Sequence, residues 1–308
     1  MLSNLSGPSA LFLADVGRIQ ERIADASRQI SSGKKIAAPS DAPDEIEPLL
    51  QLRADRERNQ QIQSNLALAK TGADSADAAL TSAVKLMDRA RTLAAQGATA
   101  TLDAAGRRSL AGEIESLQEQ MVVCSRTAVQ GRFLFSGDQD DSAAYEVDLT
   151  AQTGAAQLAA AAAPATRRIE HPAGGSFAAS MTAQDIFDKR NQDGSPSTEN
   201  VFAALNNLRL ALLDGDPAAV DAAVPGLQDA AAQLNAAQAF YGAVQGRIQD
   251  AQSYSDSYDV HLQVQLSQKE DADATAAALE LTQSNTQLQA AFQMRAQLPT
   301  QSLFDYLG

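Results

Sequence analysis

Tryptophan is absent from this chain, cysteine occurs once, histidine occurs twice, and aromatic residues make up only 5% of it. With Cys124 alone, no intrachain disulfide can form. Cys124 falls in phase with Leu110, Ile114, Leu117, Met121 and Ala128, which predicts a small buried apolar residue rather than a reactive thiol. His171 and His261 lie in different regions, and neither has a Cys or His at metal-ligand spacing. Both read as solvated surface residues. Basic charge is also scarce, with 24 Lys and Arg against 38 Asp and Glu and a net charge of −14. That balance argues against nucleic acid and anionic membrane surfaces as partners, because both need clustered cations. No apolar run reaches the roughly 18 residues that a membrane span requires. Met1–Leu13 has no basic stretch before an apolar one, so it is not a Sec-type signal peptide. Taken alone, that predicts a cytoplasmic address.

Catalytic constellations are missing too. There is no phosphate-binding glycine loop and no nucleophile elbow. Asp138-Gln139-Asp140-Asp141 lacks the alternating ligands, central glycine and terminal glutamate of a calcium loop, so it reads as a charged loop. Glu270-Asp271-Ala272-Asp273 reads most simply as a solvated helix face. No enzyme activity, cofactor or metal is expected.

What the chain does have is alanine and helical periodicity. Apolar residues are 44% of its 308 residues. Such Ala-rich, aromatic-poor sequence suits long, closely packed helices rather than a deep globular core. Phe12, Val16, Ile19, Ile23, Ala26 and Ile30 repeat at heptad spacing over 9–32, and Gly33 stands where a left-handed cap is wanted. A stripe of this kind cannot bury itself. Its natural partner in the same chain is the other terminal stretch.

After Gly33 comes a loop to Pro43, in which Ser40 or Asp41 is placed to cap the next helix. Asp44, Glu45 and Glu47 suit that helix's first turn, while Pro48 predicts either a restart or a kink. The stripe from Ile62 to Ala94 ends at Gly97, and a second helix is expected over about 105–130. Short loops make these two antiparallel neighbours. At Gly131 the pattern turns to strand and turn signals: Arg132–Phe135, Tyr145–Leu149, Thr166–Glu170 and Ser176–Ala178, with a low-complexity tract at Ala159–Ala163. Helix resumes over 198–213. A final helical region is expected over about 218–298, with Pro225 as a candidate bend. At about 1.5 Å per residue its last 70-odd residues would span roughly 110 Å.

The expected fold class is therefore mainly α: a long antiparallel helical rod with paired terminal helices and a small inserted β-rich domain. Its parts are an N-terminal coiled-coil segment 1–40, rod segments 41–130 and 198–260, a β-rich outer insert 131–197, and a C-terminal coiled-coil segment 261–308.

Gln29-Ile30-Ser31-Ser32-Gly33-Lys34-Lys35-Ile36, followed by Pro39-Ser40-Asp41-Ala42-Pro43, resembles the N-terminal signature of the bacterial flagellin superfamily. The Pro-Ser-Asp form is more similar to its hook–filament junction branch, the hook-associated proteins, than to filament flagellin. Gly131–Gly137 resembles the point where that branch leaves its helical region for an outer β domain. Glu270–Asp273, Leu281–Phe292 and the ending Ser302–Leu307 resemble its tail. The likeness covers about 1–137 and 198–308. The chain departs from the pattern at Ala42-Pro43, where a second Asp is commoner, at Pro48, and in the alanine tract.

The resemblance implies a structural subunit of the flagellum, joining hook and filament by self-assembly through paired terminal helices. It implies export through the flagellar type III apparatus without a cleaved signal, which moves the address to the extracellular flagellum. It also implies terminal segments that order on assembly. The implied partners are a homo-oligomeric ring, another hook-associated protein on the hook side, flagellin on the filament side, and an export chaperone before secretion. Val16, Ile19, Ile23 and Ile30 are the expected N-terminal assembly residues, with Leu281, Leu288, Phe292 and Leu303 opposite them or on the chaperone. The alternatives are a flagellin filament subunit and a cytoplasmic helical adaptor or chaperone.

Overall fold

The computed structural model describes residues 7–99 and 102–297. Among them, helices α1 (Gly7–Ser32), α2 (Pro43–Gly97) and α3 (Ala104–Ser125) come first. Strands β1 (Ala128–Val129) to β6 (Ser176–Ala178) follow, and then α4 (Ala183–Phe187), α5 (Val201–Asp214), α6 (Pro217–Glu270) and α7 (Ala274–Gln297). The fold is thus mainly helical, with small antiparallel hairpins set between the long helices. The chain divides into two compact units, residues 1–58 with 258–308 and residues 59–257.

Most helix limits follow local chemistry. Gly33 ends α1 in the left-handed region (φ 69°), its N–H donating to the Gln29 carbonyl. Pro43 and Pro217 open α2 and α6, where a missing N–H costs nothing. Pro48 and Pro225 neither stop nor restart these helices, which run on through both. The helix expected to reach residue 130 stops at Ser125. Arg126 and Thr127 turn the chain with bonds back to Val123 and Cys124, and Ala128–Val129 become β1. β1 pairs with β2 (Arg132–Phe133) across Gln130 and Gly131, at φ 52° and 79°. A two-residue hairpin turn with positive φ at both positions matches the natural twist of the strands.

The long terminal helix expected over 218–298 is interrupted. α6 ends at Glu270 and α7 starts at Ala274. Asp273 caps α7, its Oδ1 accepting from the N–H groups of Thr275 (2.9 Å) and Ala276 (3.0 Å).

In the unit of residues 59–257, α2, α3, α5 and α6 bury Leu80, Met87, Ile114, Met121, Leu205 and Leu234. The insert supplies what the alanine-rich helices lack. Phe135, Tyr145, Phe187, Phe202 and Tyr241 are all buried, linked by ring contacts of 5.2–6.1 Å. An aromatic core therefore exists despite the low aromatic content. β3 (Tyr145–Val147) pairs with β4 (Ala155–Gln157), and β5 (Arg168–Glu170) with β6. Part of the alanine tract is a 3-10 turn, Ala159–Ala162, with Ala160 and Ala161 buried.

Asp188 ties this insert together. Fully buried, it accepts from Tyr145 Oη (2.9 Å), Gln157 Nε2 (2.8 Å), Arg190 Nε (2.9 Å) and Asn200 Nδ2 (2.7 Å). Burial and then the Asp188 charge push the Tyr145 hydroxyl far above its ordinary pKa, so it remains a donor. Asn200 in turn caps α5 through its Oδ1. Asp188→Ala leaves three buried or half-buried donors without an acceptor and is expected to cost about 3 kcal/mol. A urea midpoint equal to that of the parent chain would refute this role.

Candidate assembly interface

The residues of interest lie in the unit formed by 1–58 and 258–308. There α1 and α7 pack antiparallel. Phe12 meets Phe292 edge-on at 6.2 Å, and the Arg295 guanidinium lies 5.7 Å from the Phe12 ring centre. Lys34, just past α1, bridges to Asp271, just before α7. These contacts fit one register, in which Val16 lies opposite Leu288 and Ile23 opposite Leu281.

Of the stripe expected on α1, Val16 and Ala26 are buried and Phe12, Ile19 and Ile23 half-buried. Ile30 is 42% exposed and stands off the seam. On α7, Leu281 and Leu288 are half-buried, while Ala277 and Ser284 are the buried residues. Phe292 is 51% exposed although its ring touches Phe12. Leu303 lies outside the described residues. The pair also leaves Leu11, Leu13, Leu279 and Met294 more than half exposed.

The region where α1 leads into α2 and α6 into α7 is fastened by polar groups. The Glu270 carbonyl accepts from Lys35 N (2.7 Å), and Ala272 N donates to the Gly33 carbonyl (2.9 Å). Glu270 Oε1 accepts from Lys34 Nζ and Arg53 Nη2, each at 2.5 Å. Glu270 is 7% exposed, not a solvated helix face as its neighbours in sequence suggested. Burial pushes its carboxyl up, but hydrogen bonds and charges from Lys34 and Arg53 outweigh this and hold it below the usual range. Lys269 pairs with Glu45, and Arg56 with Asp259 (3.2 Å). Asp41 does not cap α2. Its Oδ2 accepts from Ala37 N (2.9 Å) and Ala38 N (2.7 Å), and these backbone bonds lower its pKa. Ile36 and Leu49 are buried in the same unit.

Sequence reasoning missed Arg22. Its Nε donates to Glu280 Oε1 (2.6 Å) and its Nη1 to Gln287 Oε1 (3.1 Å) across the helix pair. The only sequence signal was a cation beside the stripe residue Ile23.

Elsewhere the candidate chemistry is occupied with structure. Among the described residues no group of three or more His, Cys, Asp or Glu side chains is arranged to hold a metal ion. Asp140 is ion-paired with Arg167 (2.6 Å) and Arg132 (3.2 Å), so the acidic loop is a fastener rather than a free charged surface. Cys124 is half-buried, and burial pushes its thiol up. His171 Nδ1 accepts from Ala173 N (3.1 Å), and its ring lies 5.8 Å from Tyr254. His261 lies exposed on α6, 2.8 Å from Gln265. No described helix is long and apolar enough to cross a membrane.

Paired end helices with an insert in mid-chain define a class of helical proteins closed by their own two ends. The N-terminal helical region of bacterial flagellin matches residues 6–140, and its C-terminal helical region matches 224–307. Together the two matches cover more than two thirds of the chain, and the chain belongs to the bacterial flagellin family.

Several solved structures share the fold. A putative flagellar hook-associated protein from Vibrio parahaemolyticus is 22% identical, with a TM-score of 0.64 over 75% of this chain and 100% of that one. Flagellar hook-associated protein 3 from Legionella pneumophila is 13% identical (TM-score 0.60, 72% of this chain and 98% of that one). FlgL from Xanthomonas campestris is 17% identical (TM-score 0.54, 71% and 99%). Comparison with curated proteins gives no match.

Because the Glu270 pKa is lowered on folding, its contribution is fully present above the ordinary carboxylate value of about 4.3. It is lost as pH falls through the lower folded value. Glu270→Gln is therefore expected to destabilise α7 by about 1–2 kcal/mol at neutral pH. The gap to the parent chain should close as pH drops below about 4. Amide exchange across α7 in both chains, followed from neutral pH downwards, measures this. A gap that stays constant with pH would rule out the carboxylate charge as its source.

Proposed function

We propose that this chain is a non-enzymatic structural component of the bacterial flagellum that forms the junction between hook and filament. One observation carries the assembly part of this reading. α1 and α7 pair with each other, yet they keep Leu11, Leu13, Leu279 and Met294 more than half exposed. At about 25 cal/mol per Å², that surface favours contact with further subunits over solvent. Membership of the flagellin family supports the organelle. The similar structures described as hook-associated proteins support the junction over the filament itself. In this reading the subunits form a ring, with another hook-associated protein on one side and flagellin on the other. A chaperone holds the C-terminal region before export through the flagellar type III apparatus.

Electron microscopy of a strain lacking the gene, with an assay for flagellin in the medium, tests the reading. Bare hooks with flagellin released into the medium are expected. Bare hooks without released flagellin would make the chain a filament subunit, and normal filaments would make it an adaptor outside the flagellum.

At residue level, Ile23→Asp puts a charge on the half-buried face of α1. The variant should keep the unit of residues 59–257 folded and be absent from assembled flagella. Its incorporation at parental levels would refute a role for this face in assembly.

A further inference from the structure

α7 has apolar side chains on more than one side. Ala277, Leu281 and Leu288 face inwards and Phe292 touches Phe12, while Leu279, Ala290 and Met294 face out. The inward face also holds Ser284, which is 0% exposed. Hydrophobicity therefore discriminates incompletely between the two sides, because a serine in the seam weakens the side that is used. The polar contacts complete the choice. Glu280, Ser284 and Gln287 recur every three or four residues and so lie along one side of the helix. Arg22 of α1 reaches two of them, with Nε on Glu280 Oε1 at 2.6 Å and Nη1 on Gln287 Oε1 at 3.1 Å. Ser284 Oγ, between them, donates to the same Glu280 oxygen at 3.1 Å. No other side of α7 offers this set.

We infer that Arg22, with Glu280 and Ser284, is the positioning device that selects which face of α7 packs on α1, and so which apolar face is left outward. It deepens the assembly reading and rests on it only for the use made of that outward face. The joint before α7 is tied to the end of α1 through Asp271 and Ala272 on Lys34 and Gly33. Arg22 acts further along α7, at Glu280 and Gln287, where the joint makes no contact. A polar residue in an otherwise apolar helix seam specifies alignment at a cost in stability. A pair as exposed as Arg22 and Glu280 adds little to stability itself. Selecting a face needs only a difference between two packings.

The test uses the full chain carrying Cys124→Ser. Val16→Cys is combined either with Leu288→Cys on the inward face or with Ala290→Cys on the outward face, and disulfide formation is measured under mild oxidation. With Arg22 intact, the inward pair should form in preference by about fivefold or more, the ratio one net charge-assisted contact supplies. Arg22→Glu should remove that preference, and Arg22→Glu with Glu280→Arg should restore it. Restoration supports the inference even if the single variant gives neither cross-link. An unchanged preference in Arg22→Glu, or no recovery in the charge-swapped chain, would overturn it. Failure of the junction reading would show instead in the hooks and filaments of the deletion strain and leave these cross-links unchanged.

Discussion

The seam between α1 and α7 is lined by Val16, Ala26, Ala277 and Ser284, with Ile19, Ile23, Leu281 and Leu288 only half covered. Small side chains let two helices approach closely, but they remove little apolar area from water, and ordering some fifty residues of helix costs far more conformational entropy than that area offsets. Both features of this unit follow from the shortfall. Its fixed points are polar: Glu270 with Lys34 and Arg53, the backbone bonds between Gly33–Lys35 and Glu270–Ala272, and Arg22 with Glu280. Several of its large apolar side chains, Leu11, Leu13, Leu279 and Met294, by contrast, stay more than half exposed.

The unit of residues 59–257 answers the same constraint differently. Its helices are also rich in alanine, yet it gathers Phe135, Tyr145, Phe187, Phe202 and Tyr241 into one contact cluster and closes it with the Asp188 hydrogen bonds. Phe135, Tyr145 and Phe187 come from the insert, the last on its short helix α4, and Phe202 and Tyr241 come from α5 and α6. The insert is thus part of the core of its unit rather than an appendage on a finished helical bundle. Its hairpins are too short to stand alone in water, and the buried rings are what hold them.

Features governed by neighbours in sequence were legible in it, and those governed by distant partners were not. The heptad run to Ile30 and the glycine after Ser32 carry α1 and its cap within a few residues. Strands β2, β3, β5 and β6 announced themselves by β-branched or aromatic residues beside turn signals. β4 is Ala-Ala-Gln and carries no such signal; its strand character comes from pairing with Tyr145–Val147. α3 stops at Ser125 because Phe133 claims Ala128 as a ladder partner. The break after Glu270 was hidden for the same reason. Glu-Asp-Ala-Asp carries no glycine or proline, and what interrupts it is Gly33, Lys34 and Arg53, more than two hundred residues away. At the interface, Val16 and Ile23 were found by spacing. Arg22 was not, because a charged residue beside an apolar stripe ordinarily faces water.

The division between satisfied polar groups and unsatisfied apolar ones bears on how such a subunit can be both separate and ready to assemble. The buried carboxylates Glu270 and Asp188 find their partners inside the chain, so neither waits for a neighbour. What remains exposed on the described part of the terminal pair includes Leu11, Leu13, Leu279 and Met294. Apolar surface is non-directional and gains free energy in proportion to the area covered, so it tolerates approach from several neighbours and small adjustments between them. Directional groups do the opposite. Arg22 meets Glu280 across α1 and α7, and on the inference drawn above that contact decides which apolar side chains of α7 stay outward. In the proposed assembly, polar contacts set the geometry within the subunit and the apolar remainder drives contact between subunits.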